Sequence, residues 1–144
     1  MSLCLDASVL VPTIIVERDS PTVFEALRAC DDDLIVSDFA TAEVASVLAR
    51  LIRMGLLTIA EATDRLADFD AWRAAETDAV DVIVHDCRLA NTYVRRFELK
   101  LRAPDALHLA ICRRLGLQLA TLDRRLATAA RELGIEVLIP GERQ

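Results

Sequence analysis

Lysine is almost absent from this chain. Of seventeen basic residues, sixteen are arginine and Lys100 stands alone. Acids outnumber bases, 23 to 17, for a net charge of −6. That counts against the broad basic surface of a general nucleic-acid binder. It leaves open an acidic site that meets phosphates through a divalent metal. No apolar run reaches the length of a membrane span, and the start of the chain lacks the basic region of a secretory signal. There is no C-x-x-C pair. Cys4, Cys30, Cys87 and Cys112 are widely spaced in apolar patterns and are expected to be reduced core residues. Together these absences suggest a cytosolic protein. Also missing are G-x-S-x-G, Walker A and G-x-G-x-x-G, so hydrolase-elbow, nucleotide-triphosphatase and dinucleotide readings lack support. The D-x-D of haloacid-dehalogenase-type phosphatases is absent, because Asp6 is followed by Ala7 and Ser8. A phospho-receiver would need an acid pair there and a lysine late in the sheet.

What remains is a chain of 144 residues, 53% apolar and 28% charged, enough for one globular domain with a proper core. Leu3–Leu5 is a short apolar run suited to a buried strand, ended by Asp6. A helix is expected over Ser8–Val16, with Pro12 near its first turn. Ser20-Pro21 opens another, with Val23, Phe24, Leu27 and Cys30 on its apolar face. Asp31-Asp32-Asp33 is a solvated loop. Leu34-Ile35-Val36 is the second strand. Ser37 or Asp38 then caps a long helix to Met54, stopped by Gly55. Thr58 and Glu61 form a capping box for a helix to Ala75, making a hairpin that could serve a partner. Val80–Val84 is the third strand candidate. Asp86 caps a helix carrying Leu89, Tyr93, Val94 and Phe97, and His85 is expected to be structural. Pro104 opens the next helix, Leu117–Leu122 forms a fourth strand, and Arg124 and Arg125 begin a helix stopped by Gly134. Glu136–Ile139 is the last strand. This order predicts an α/β fold, a mostly parallel sheet with helices on both faces.

Four acids stand isolated in apolar segments. Asp6 is the only charged side chain in the first sixteen residues, Glu43 the only one from Phe39 to Ala49, and Asp105 the only one from Ala103 to Cys112. Asp123 ends its strand as Asp6 ends the first. Each has a plain alternative: a helix cap for Asp6, the edge of an apolar stripe for Glu43, a helix-dipole acid for Asp105. Carboxyl ends of parallel strands share one edge, where ligands bind, and the first turns of the returning helices lie there too. Four carboxylates gathered there need a counter-charge. Oxygen ligands without Cys or paired His select Mg²⁺ or Mn²⁺. One or two such ions suit phosphodiester hydrolysis. His108, three residues after Asp105, is expected to pack rather than to touch substrate.

L-D-A-S at 5–8, A-E-V at 42–44, P-D-A-L-H-L-A at 104–110 and T-L-D-R-R-L at 121–126 resemble the signature segments of PIN-domain ribonucleases, in particular VapC-type toxins of toxin–antitoxin pairs. The likeness covers essentially the whole chain in order. It implies a three-layer α/β/α fold on a five-stranded, mostly parallel sheet. It also implies a Mg²⁺- or Mn²⁺-dependent endoribonuclease acting on RNA, held by a cognate VapB-type antitoxin and commonly a homodimer. Asp6, Glu43, Asp105 and Asp123 match the family's acidic quartet, with Asp6 and Asp105 the principal metal ligands. Ser8 and Thr121 match hydroxyl positions beside it. Leu126 stands where many relatives have an aromatic. Arg102, Arg124 and Arg125 are candidates for phosphate contacts. The alternative is a PIN-like or receiver-like module that binds a partner without catalysis.

Overall fold

The structure, a computed structural model, describes residues 1–143. Strand β1 (Leu3–Leu5) leads into α1 (Ala7–Ile14) and α2 (Ser20–Arg28), and β2 (Leu34–Ser37) into α3 (Asp38–Arg53) and α4 (Ile59–Glu76). Then come β3 (Asp78–Val80), α5 (Val84–Val94), a 3₁₀ turn at Phe97–Leu99, α6 (Ala103–Leu115), β4 (Gln118–Ala120), α7 (Arg124–Glu132) and β5 (Val137–Leu138). The five strands form an all-parallel sheet in the order β3-β2-β1-β4-β5. The expected element order holds, and so does the parallel α/β/α architecture.

Side chains alternate across the sheet, and β1 feeds both layers. Leu3 and Leu5 pack with Val9 and Leu10 of α1, Val23 of α2, Val44 of α3 and Phe69 of α4. Cys4 faces the other way, into a core with Tyr93 of α5, Leu109 and Cys112 of α6, and Ala130 of α7. Helices α1 to α4 therefore cover one face and α5 to α7 the other. β1 is buried throughout, which suits a central parallel strand covered on both sides.

The helix stops and caps are local. Ser37 accepts the Ala40 N–H, and Gly55 ends the α3 segment at φ 73°, a backbone state that favours glycine. Thr58 and Glu61 cap each other's backbone. Both are exposed, so Thr58→Ala should cost about 1 kcal/mol or less in urea unfolding.

Several expectations shift. The third strand lies at Asp78–Val80, not Val80–Val84. It pairs with β2 for three residues only, and Asp86 then takes the Ile83 N–H at 3.0 Å to start α5. The cap overrides the β-branched run. Pro12 sits in the body of α1 rather than its first turn. Ser20 does not cap α2: its hydroxyl donates to the Ile15 carbonyl and accepts from the Glu17 N–H. Phe97 lies outside α5 and is exposed, and Cys87 is exposed, whereas Cys4 and Cys112 are buried as free thiols.

Candidate active site

In the strand order, β1 and β4 are neighbours whose following helices leave to opposite faces. This is the switch point of the sheet, where open α/β folds bind ligands. Asp6 leaves the end of β1, and Thr121 and Asp123 follow β4.

Asp6 is 4% exposed. Ser8 donates its hydroxyl to Oδ1 at 2.6 Å, Thr121 donates to Oδ2 at 2.5 Å, and the Val9 N–H reaches Oδ1 at 3.2 Å. Asp6 is thus the cap of α1 as well as a candidate ligand; the two readings describe one residue. Having given their protons to Asp6, both hydroxyls accept elsewhere. Ser8 takes the Leu122 N–H at 2.8 Å and Thr121 takes the Asp123 N–H at 3.0 Å. Two hydroxyls therefore lock the β1 and β4 termini together around one carboxylate. Burial still raises the Asp6 carboxyl above its ordinary range, against the pull of Ser8, Thr121, His108 and the Val9 N–H.

Asp123 caps α7, with Oδ1 accepting from the N–H groups of Arg125 and Leu126 at 2.9 and 3.2 Å. That carboxylate offsets the two arginines that open the helix against its dipole. Asp105 lies in the first turn of α6, where Oδ2 accepts from the backbone and side chain of Arg102, both at 3.3 Å. Glu43, in α3, is bonded through Oε1 to Nε2 of His108, in α6. Burial would lower the His108 pKa, but the hydrogen bond and charge of Glu43 outweigh it and the net shift is upward, with Asp6 adding to it.

A scan against protein-family models matches the PIN domain over residues 3–132. The chain belongs to the PIN-domain family.

The solved structures most like this PIN domain include VapC20 of Mycobacterium tuberculosis, a sarcin–ricin-loop-cleaving toxin (17% identity over 88% of this chain and 94% of that one, TM-score 0.70). VapBC2 of Rickettsia felis, solved on a fragment of its promoter DNA, also matches (13% identity, 96% and 98%, TM-score 0.70). So does VapBC-1 of nontypeable Haemophilus influenzae (10% identity, 99% and 100%, TM-score 0.71). At these identities the likeness establishes the fold. No curated protein sequence matches the chain.

In the PIN domain Asp6 and Asp123 follow the ends of the neighbouring strands β1 and β4, Asp105 lies in the first turn of α6 and Glu43 reaches α6 through His108, but the four are not drawn into a ready ligand group. Among the described residues, no three His, Cys, Asp or Glu side chains are grouped to hold an ion. Each acid is instead held by protein partners: hydroxyls at Asp6, His108 at Glu43, Arg102 at Asp105 and backbone at Asp123. One oxygen each of Glu43, Asp105 and Asp123 accepts no hydrogen bond from the described residues. The donor chemistry fits a hard divalent cation: all oxygen, three free carboxylate oxygens, and a buried carboxyl that resists ionisation without a counter-charge.

The three arginines differ. Arg102 is paired with Asp105 and Arg124 with Glu142. Arg125 is exposed and has no ion pair among the described residues. His85 makes no ion pair among them either. His108 packs as expected, buried against Phe39, and its bond to Glu43 is the contact the sequence reading did not foresee. Its signal was present in the sequence: a histidine one helical turn beyond Asp105 in an otherwise apolar helix shares that acid's face.

Proposed function

We propose that the whole chain is one PIN-like domain acting as a metal-dependent endoribonuclease, the toxin of a cytoplasmic toxin–antitoxin pair. The observation that carries this reading is the buried Asp6 at the β1/β4 switch point. Two hydroxyls clamp it, and Asp123 follows the neighbouring strand β4. Family membership supports a nuclease. Structural neighbours that include toxin–antitoxin complexes support an antitoxin partner.

Asp6, Glu43, Asp105 and Asp123 would hold one or two Mg²⁺ or Mn²⁺ ions. Bound there, such an ion supplies an activated water and charge stabilisation at the leaving oxygen. The chain's own groups do the rest. Ser8 and Thr121 fix both oxygens of Asp6, so that carboxylate is oriented before substrate arrives. Arg125 is the arginine free to meet a phosphate at once; Arg102 and Arg124 must first leave Asp105 and Glu142. On a protein of net charge −6, RNA binding should be modest and salt-sensitive. A homodimer fits the family pattern.

The test is cleavage of structured RNA with Mn²⁺ or Mg²⁺, expected to stop in excess EDTA and to return on adding metal. Expression of the chain alone should arrest bacterial growth, and co-expression of its antitoxin should relieve it. Soluble protein that neither cleaves RNA nor slows growth would favour the binding-module reading.

A further inference from the structure

His108 bridges the two helical layers. It belongs to α6, packed on one face of the sheet, while its partner Glu43 belongs to α3, packed on the other. The imidazole is 3% exposed. Phe39, one turn before Glu43, packs against it with ring centroids 5.4 Å apart at 50°. Its Nδ1 is buried with no hydrogen-bond partner. A side chain present only to fill space would be apolar, because a buried polar atom without a partner is unfavourable. What the ring gains in exchange is its bond to Glu43. That bond uses Oε1 and leaves Oε2 without a partner among the described residues.

We propose that His108 is a positioning residue: it fixes the Glu43 carboxylate by one oxygen so that the other is left to meet the divalent cation proposed above. This rests on the metal-dependent nuclease reading above. Without the histidine, Glu43 is a flexible side chain of a separate layer, free to turn to solvent. Groups that orient a ligating carboxylate are typically worth 10–100-fold in metal affinity or activity.

The experiment titrates Mn²⁺ into metal-free wild type, His108→Leu, His108→Gln, Glu43→Gln and the Glu43→Gln/His108→Leu double variant by calorimetry, with kcat and KM on a short RNA. His108→Leu should weaken Mn²⁺ binding by about 10–100-fold and lower kcat at limiting metal, with KM for RNA unchanged. His108→Gln should recover part of the loss, since its amide N–H can donate to the same carboxylate. In the double variant, His108→Leu should add nothing to Glu43→Gln. If His108→Leu does not fold, His108→Asn takes its place, being polar but one methylene shorter than Gln. Wild-type Mn²⁺ affinity in the variant that cannot reach Glu43, or losses that simply add, would overturn the proposal alone. A wild type that neither binds Mn²⁺ nor cleaves RNA would overturn the nuclease reading, and this proposal with it.

Discussion

Asp6→Asn should abolish RNA cleavage without weakening the fold. Loss of activity should be at least about a thousandfold, since cation stabilisation of the reacting charge is worth several kcal/mol. The amide fits the site. Its oxygen can keep the Ser8 hydroxyl and the Val9 N–H, and its NH₂ can donate to Thr121, whose proton is then free to turn to the Ser8 oxygen 3.3 Å away. The stability change has a definite sign. Burial raises the Asp6 carboxyl in the folded chain, so the folded state holds that proton more tightly than the unfolded one. The associated stability is present at low pH and is lost as pH rises through the raised value. Asparagine carries no such charge. The variant should therefore melt at or a few degrees above wild type at neutral pH, and the gap should close in acid. An Asp6→Asn protein that cleaves RNA at the wild-type rate would remove Asp6 from the site.

The largest stability effect should come from Arg114→Leu. Asp86 is fully buried in α5. Arg114 of α6 meets both its oxygens, Nε to Oδ1 at 2.7 Å and Nη2 to Oδ2 at 2.9 Å, and also donates to the Asp81 carbonyl. Removing the arginine strands a carboxylate in the core, a loss of about 3–5 kcal/mol. The lower figure is favoured because the arginine side chain is 21% exposed, so the gap it leaves admits water. Against stabilities of about 5–15 kcal/mol, that is a large share. Burial alone would raise the Asp86 pKa, but Arg114 and the Ile83 N–H outweigh it and hold it below its ordinary range. Its stabilising contribution is therefore present at neutral pH and is lost as pH falls through the depressed value. Urea unfolding should show the Arg114→Leu deficit at neutral pH and a smaller one in acid. Asp86→Asn in the same chain should restore part of it, because the stranded group is then uncharged. A deficit that is the same at every pH would mean that packing, not charge, is what Arg114 supplies.

These two aspartates show how differently a site and a scaffold can be read. Asp6 stood out because no other charged side chain lies near it in sequence and an apolar run ends on it. Asp86 gave only the signal of a helix cap; it lies instead in the first turn of α5, where it accepts the Ile83 N–H. Its burial depends on Arg114, 28 residues on, and nothing local distinguishes that arginine from Arg113 beside it. The third strand was misplaced for the related reason that a three-residue edge pairing leaves little pattern, while the β-branched residues after it read as strand.

The sequence by itself determined the order of the elements, most of their caps and stops, and the four isolated acids. Those signals are carried by residues within about one helical turn or one strand of each other, so no packing is needed to see them. Only the tertiary structure decided that β1 and β4 meet as the switch point, that Thr121 closes on Asp6 from 115 residues away and on Ser8 from 113, and that His108 of one layer reaches Glu43 of the other. Such contacts exist only once the layers have closed on a common strand, and which donor meets which acceptor is set by that closure, which no local pattern of residues reports.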